Sequence, residues 1–193
     1  MTETLKQFEK IGIHFNENLE TSRKLFASDT SKQFKILKIR PWDVPEYVQE
    51  GAADIGIVGQ DVLREKNNPV LKLLDLGFGQ CSLVLAGTAQ QKKRGLSHNM
   101  SVATKYPNAT QAYFRQKDIK VKLIKLYGAI ELAPLTGLSD IICDLTATGR
   151  TLKEHHLQIM DTVFTSTAVL IANPTSYKVH FEAIQKMVNL LRI

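Results

Sequence analysis

Apolar positions along this chain of 193 residues recur at two different periods. Where they fall every second residue, or run unbroken for a few positions, the chain reads as strand. Where they fall three and four apart it reads as helix. The two periods alternate from end to end, which is the mark of an α/β protein. Residues 3–10 predict a helix with Leu5 and Phe8 on one face. FKILKI (34–39) predicts a strand closed by Arg40. DVPEYVQEG (43–51) predicts a helix with Asp43 as N-cap, Glu46 completing a capping box, proline in the first turn and Gly51 as its stop. ADIGIVG (53–59) predicts a short buried strand, followed by a helix through Arg64 that Asp61 would cap.

VLKLLDL (70–76), CSLVLA (81–86) and MSVATKY (100–106) predict further strands, and PNATQAYFRQK (107–117) a helix. IKVKLIKL (119–126) alternates, so one of its faces should be wet. DIICDL (140–145) is apolar up to a closing acid, the pattern of a central parallel strand. After a short helix, TVFTSTAVLIANP (162–174) leads into SYKVHFEAIQKMVNLLR (176–192), which puts Phe181, Ile184, Val188 and Leu191 on one stripe of a docking helix. The polar stretch TAQQKKRGLSHN (88–99) reads as a surface loop. CSLVLA and STAVLIA bracket the middle third, which suits two α/β lobes joined by two crossing strands with a central cleft. On that arrangement 1–84 plus 170–193 form one lobe and 85–169 the other.

Composition narrows the class. With 44% hydrophobic and 23% charged residues the chain can bury a sizeable core. No apolar run approaches the roughly 18 residues that cross a bilayer, and MTETLKQFEK has no signal-peptide h-region, so a cytoplasmic protein without a membrane partner is expected. Cys81 and Cys143 each sit in an apolar run, as reduced core thiols do. Adjacent His155 and His156 would diverge on a helix, and no Cys/His cluster has zinc spacing. The net charge of +6 suits a small polyanion; the dispersed lysines, with no basic run or aromatic-studded motif, argue against nucleic acid.

The stretch DLTATGRTL (144–152) carries the candidate chemistry. A parallel strand ending at Asp144 delivers the next loop to the carboxyl edge of its sheet, where α/β proteins bind ligands. A helix starting there offers unpaired N–H groups and partial positive charge to a phosphate. Gly149 would let the backbone approach the anion, with Thr146, Ala147 and Thr148 before it. The hydroxyls of Thr146, Thr148 and Thr151 are donors, and Arg150 could add a charge-assisted contact. Asp144 could take hydrogen bonds from sugar hydroxyls or help hold Mg²⁺. A connecting turn with a glycine would look similar, but not the acid-terminated strand before it. Glu131, in LYGAIELAPLTGLSD (126–140), could supply a second carboxylate for a ribose diol. Arg23 and Arg40 are either surface residues or phosphate ligands.

Four motifs occur in order: SRKL (22–25), RPWDVPEYVQEGAADIGIVGQDVL (40–63), LLDLGFGQC (73–81) and ELAPLTGLSDIICDLTATGRTL (131–152). Together they closely resemble the catalytic subunits of the ATP phosphoribosyltransferase family, across essentially the whole chain. The resemblance implies a two-lobed fold of the periplasmic-binding-protein type II kind. It also implies a reaction that joins ATP and phosphoribosyl pyrophosphate (PRPP), with Mg²⁺, to give N1-phosphoribosyl-ATP and pyrophosphate, the first step of histidine biosynthesis. By the same resemblance residues 144–152 cradle the 5-phosphate and ribose, Glu131 lies beside the ribose, and Arg23, Arg40 and Asp144 act in catalysis, the arginines near the pyrophosphate or the ATP phosphates. Mg²⁺ would be held through the pyrophosphate. The chain is similar to the short form of the family, which implies a homodimer or higher oligomer and a regulatory subunit similar to histidyl-tRNA synthetase.

Two departures stand out. Family members open with a strand and a lysine-glycine-arginine-leucine turn, whereas MTETLKQFEKIGI resembles only the helix after it. His155-His156 replace an asparagine-containing pair, where a local change is expected. The rival readings are a non-catalytic two-lobed ligand-binding module and a phosphoribosyltransferase acting on a free base.

Overall fold

The computed structural model describes residues 2–15 and 21–192. In chain order the elements are α1 (Thr2–Lys10), β1 (Phe26–Ser28), β2 (Lys35–Leu37), α2 (Val44–Gln49), β3 (Ile55–Gly59), α3 (Gln60–Lys66) and β4 (Leu71–Asp75). There follow β5 (Cys81–Gly87), α4 (Ala89–Arg94), β6 (Ser101–Thr104), α5 (Pro107–Gln116), β7 (Lys122–Lys125), α6 (Leu132–Leu135), β8 (Ile141–Thr146), α7 (Arg150–Glu154) and β9 (Gln158–Ser166). Last come β10 (Ala168–Ala172), α8 (Pro174–Val179) and α9 (Phe181–Leu191). The chain divides into two units, one of Met1–Leu63, Asn67–Gly79 and Thr167–Ile193, the other of Arg64–Lys66 and Gln80–Ser166. No helix among the described residues is long and apolar enough to cross a membrane.

The first unit is organised by β10. Its five residues, AVLIA, are all buried between β3 and β4, antiparallel to both. Strand alternation sends Val169 and Ile171 to one face, where they meet Val48, Val58, Val62 and Leu63, and Leu170 to the other, against Ile184 and Val188 of α9. Gly56 allows α2 to lie close on β3, because a Cβ there would fall 2.7 Å from Val44 and 2.8 Å from Val48 side-chain carbons.

Several local expectations are corrected here. Asp43 stands at the N-cap of α2 but makes no side-chain cap bond. Its backbone is helical, and Pro45 has removed one of the amides a cap would serve. Gly59, not Asp61, precedes α3, and Asp61 is buried in the first turn with its carboxylate over Gly59. β2 ends at Leu37, so Arg40 lies in the turn before α2, its carbonyl accepting from the Asp43 amide at 2.9 Å. The C-terminal helix is two helices, interrupted at His180. Ile184, Val188 and Leu191 keep the stripe on Leu170, while Phe181 leaves it for an edge-to-face contact with Tyr177.

Asn173 is why α8 starts where it does. Its Oδ1 accepts from the Thr175 and Ser176 amides, at 2.8 and 3.0 Å, and its Nδ2 donates to the Val48 and Gln49 carbonyls at the end of α2.

The second unit is a five-stranded sheet in the order β7-β6-β8-β5-β9. β7, β6 and β8 run parallel, and β5 runs antiparallel to both β8 and β9. The DIICDL strand is thus central, as expected, but parallel on one side only. One sheet face buries Val84, Ala86, Ala103 and Ile142 under Ile130, Ala133, Leu152 and Leu157. The stretch expected as a loop at 88–99 contains α4, whose N-cap Thr88 accepts from the Gln91 amide. The run QQKKR is rich in helix formers, and Gly95 at φ 75 ends it.

The double use of Asn173 predicts that Asn173→Ala destabilises the first unit by about 2–3 kcal/mol, by losing a cap and orphaning two carbonyls. Asn173→Asp should recover only the capping part. Urea denaturation followed by circular dichroism measures both, and equal losses for the two variants would contradict the double role.

Candidate active site

Strand β8 explains why an acid can end an apolar run. Ile141, Ile142 and Cys143 are fully buried, and exposure begins at Asp144. Alternation puts Ile142, Asp144 and Thr146 on the face covered by α6 and α7, with Val84 of β5 directly opposite Asp144. The Asp144 carboxyl has its pKa raised to about 6, by burial above all and also by the Glu131 charge. The Leu145 amide, 2.9 Å from Oδ1, and the Lys105 charge oppose the rise. The structure therefore brings Asp144 and Glu131 into one electrostatic cluster. It adds Lys105, which sequence reasoning missed. The signal was available: Lys105 follows a parallel strand and precedes a proline-started helix, the same position that singled out the DLTATGRTL loop.

Glu131 stands at the N-cap position of α6 without bonding to its amides, so its carboxylate is not spent on that helix. Buried Ile130 and Ala133 hold the segment on the sheet. Next door, Cys143 shares the α5 side of the sheet with Thr104 and Thr110, and burial pushes its thiol up to about 12. Such a thiol is inert.

The loop after β8 closes on itself. The Gly149 amide donates to Thr146 Oγ1 at 2.8 Å, and the Arg150 amide to Thr148 Oγ1 at 3.4 Å. Each hydroxyl oxygen is thus an acceptor, which leaves its O–H as a donor. Gly149 has φ 72, and no atom lies within 4 Å of where its Cβ would be, so conformation rather than crowding calls for glycine. The Gly149 amide, expected to face a ligand, is instead taken by Thr146. The amides of Thr151 and Leu152 precede the first bond of α7, which Lys153 donates to the Gly149 carbonyl. Ala147, Thr148, Arg150 and Thr151 are exposed, while Leu152 anchors α7 in the core.

The sheet's carboxyl edge carries a second helix start, that of α5. It is already filled: buried Glu65 accepts from the Asn108 and Ala109 amides at 3.0 and 2.9 Å. Sequence reasoning did not find this cap, because Glu65 lies 43 residues away from Asn108. A cavity of about 430 Å³ reaches the loop from the α4 side, lined by Thr146, Ala147, Thr148 and Gly149 with Lys92 and Lys153. Asp144 and Glu131 are not in its wall. Arg23 and Arg40 are exposed residues of the first unit, whereas Glu131, Asp144 and the loop belong to the second.

Comparison with known proteins shows the family. Residues 40–193 match the family model HisG, described as ATP phosphoribosyltransferase. An ATP phosphoribosyltransferase of Ruminiclostridium cellulolyticum is 46% identical over 187 residues, covering 96% of this chain and 87% of that protein. One of Gloeothece citriformis is 44% identical over 196 residues, covering 100% and 91%. Among solved structures, an ATP phosphoribosyl transferase HisG:HisZ complex from Thermotoga maritima superposes with a TM-score of 0.81 at 34% identity, covering 99% of this chain and 93% of the other. The periplasmic aliphatic sulphonate binding protein SsuA of Escherichia coli superposes at 0.55 with 13% identity, over 76% and 56% of the two chains, a likeness of fold alone. The fold is thus the two-lobed α/β type of periplasmic binding proteins of type II.

Asp144 has a consequence for stability. Its native pKa of about 6 exceeds the ordinary 3.8, so the folded chain keeps a proton that the unfolded chain releases first. Stability from this group is fully present below about pH 4, is lost as pH rises to about 6, and stays lost above. Asp144→Asn should therefore be more stable than wild type by about 3 kcal/mol at pH 8, with the gap closing near pH 4. Urea midpoints at both pH values measure it; a gap that is constant with pH would contradict the assignment.

Proposed function

The chain belongs to the ATP phosphoribosyltransferase family of histidine biosynthesis, and from that premise we propose that it joins ATP to PRPP, giving N1-(5-phosphoribosyl)-ATP and pyrophosphate. The observation that carries this reading is the carboxylate pair Asp144 and Glu131, at the edge of the sheet from which the T-A-T-G-R-T loop springs.

As the C1–N1 bond forms from the lone pair of adenine N1, the bond from C1 to pyrophosphate breaks and its electrons leave with the pyrophosphate oxygen. Positive charge develops on the ribose and negative charge on the leaving group. The attacking nitrogen carries no proton, so no strong base is needed; alignment and charge stabilisation do the work. Asp144 and Glu131 accept hydrogen bonds from the ribose hydroxyls and favour the developing positive charge. The free O–H groups of Thr146 and Thr148 and the amides of Thr151 and Leu152 donate to the 5-phosphate, with the Arg150 guanidinium against it. Arg23 and Arg40 are assigned to the phosphates of pyrophosphate and ATP.

Mg²⁺ would be bound mainly by phosphate oxygens and water, entering on the pyrophosphate. When bound, it neutralises charge on the leaving group. A regulatory subunit similar to histidyl-tRNA synthetase belongs to the same proposal, supported by the HisG:HisZ composition of the Thermotoga maritima complex, as do a cytoplasmic location and self-association.

Mixing the protein with ATP, PRPP and Mg²⁺ should release pyrophosphate, and replacing ATP with adenine or orotate should not. Arg150→Ala should raise the KM for PRPP about 10-fold or more and spare that for ATP. Asp144→Asn should lower kcat about 100-fold. Because Asp144 acts ionised, kcat/KM for PRPP should climb as pH rises through about 6. No pyrophosphate release with ATP, with or without the regulatory subunit, would refute the reading.

A further inference from the structure

Strands β6 and β8 lie side by side in parallel, with Val102 opposite Ile141, Ala103 opposite Ile142 and Thr104 opposite Cys143. The next residues along the two strands are Lys105 and Asp144. Ala103 and Ile142 share the core cluster under α6 and α7, so continued alternation carries Lys105 and Asp144 to that same side at the sheet's carboxyl edge. The main chain of Lys105 is fixed on both sides. The Leu126 amide donates to the Thr104 carbonyl at 3.0 Å, the Tyr106 amide to Thr104 Oγ1 at 2.9 Å, and Pro107 opens α5. The residue facing Asp144 from β5 is apolar Val84; the charges that act on Asp144 come from Glu131 and Lys105.

We propose that Lys105 binds the pyrophosphate group of the sugar substrate, as the cationic member of a trio with Asp144 and Glu131. This rests on the function proposed above and adds a residue to it. The argument is one of covalent distance. If the two acids hold the ribose hydroxyls, the pyrophosphate hangs from the carbon next to the one bearing the 2-hydroxyl. A cation beside Asp144, whose field acts on that carboxylate, is then within reach of the first phosphate. The neighbouring helix start cannot serve instead, since Glu65 already occupies the Asn108 and Ala109 amides. Within the second unit, positive charge beyond that of Mg²⁺ must then come from a side chain, and Arg150 is assigned to the opposite, 5-phosphate end. Lysine suits the position: its compact ammonium has three donors, enough for a carboxylate and a phosphate together.

The test is titration calorimetry of the full chain with inorganic pyrophosphate in Mg²⁺ buffer, for wild type, Lys105→Met and Lys105→Arg, with ATP binding and thermal unfolding as controls of integrity. Lys105→Met should bind pyrophosphate about 10- to 50-fold more weakly, and Lys105→Arg within about 3-fold of wild type. In turnover, kcat/KM for PRPP should fall in parallel. Undiminished pyrophosphate binding by Lys105→Met overturns the inference. So does a loss that arginine fails to rescue, or a wild type that binds no pyrophosphate. Lysine-dependent pyrophosphate binding by a wild type that releases none from ATP and PRPP would leave the anion site standing and remove the transferase reading, so the two can fail separately.

Discussion

A carboxylate placed directly after the fully buried half of a central strand is costly, and the second unit is arranged around that cost. Ile141, Ile142 and Cys143 fasten β8 at the centre of its sheet, so Asp144 cannot withdraw into solvent without dragging the core with it. Its charge is opposed by burial and by Glu131, and favoured by one backbone amide and by Lys105. The protein thus keeps, in a rigid place, an acid whose ionised form is poorly satisfied by its own neighbours. Such a group gains from hydroxyl donors on a ligand, which ties a folding penalty to a binding preference.

The same edge of the sheet shows how one of two similar features is left available. Both α5 and α7 begin just past a parallel strand, and both present amides there. Glu65 fills the first from a distant part of the chain, at ordinary hydrogen-bond lengths. At the second, the loop hydroxyls take the amides of Gly149 and Arg150, which shapes the turn and keeps the hydroxyl protons as donors. Positive φ at Gly149 is what permits that turn. The proposed 5-phosphate cradle is therefore a short loop braced by its own threonines, with buried Leu152 holding the helix behind it.

Stability in the first unit is built differently. Its central strand is apolar on both faces, and its polar work falls largely on Asn173, which caps one helix and ends another. The exposed Arg23 and Arg40 of that unit are assigned a part in the chemistry.

The alternation of periods determined the α/β class and nearly every strand, because a strand's buried face is written locally, residue by residue. The acid-ended run before Thr146 and the T-G-R-T turn were legible for the same reason: strand, turn and helix start are contiguous. What the sequence left undecided were the features that depend on residues far apart. Whether Thr88–Asn99 coils or forms a helix, where the last helix breaks, and whether Asp61 caps or is buried all turn on local energies of a kcal/mol or so, which packing overrides. Tertiary structure alone set the antiparallel side of β8 and brought Glu65 to the start of α5. It also brought Lys105 within electrostatic reach of Asp144, one residue beyond strand pairs about 40 apart. Charge coupling depends on distance in space, and a linear pattern of apolar and polar residues carries no such distance.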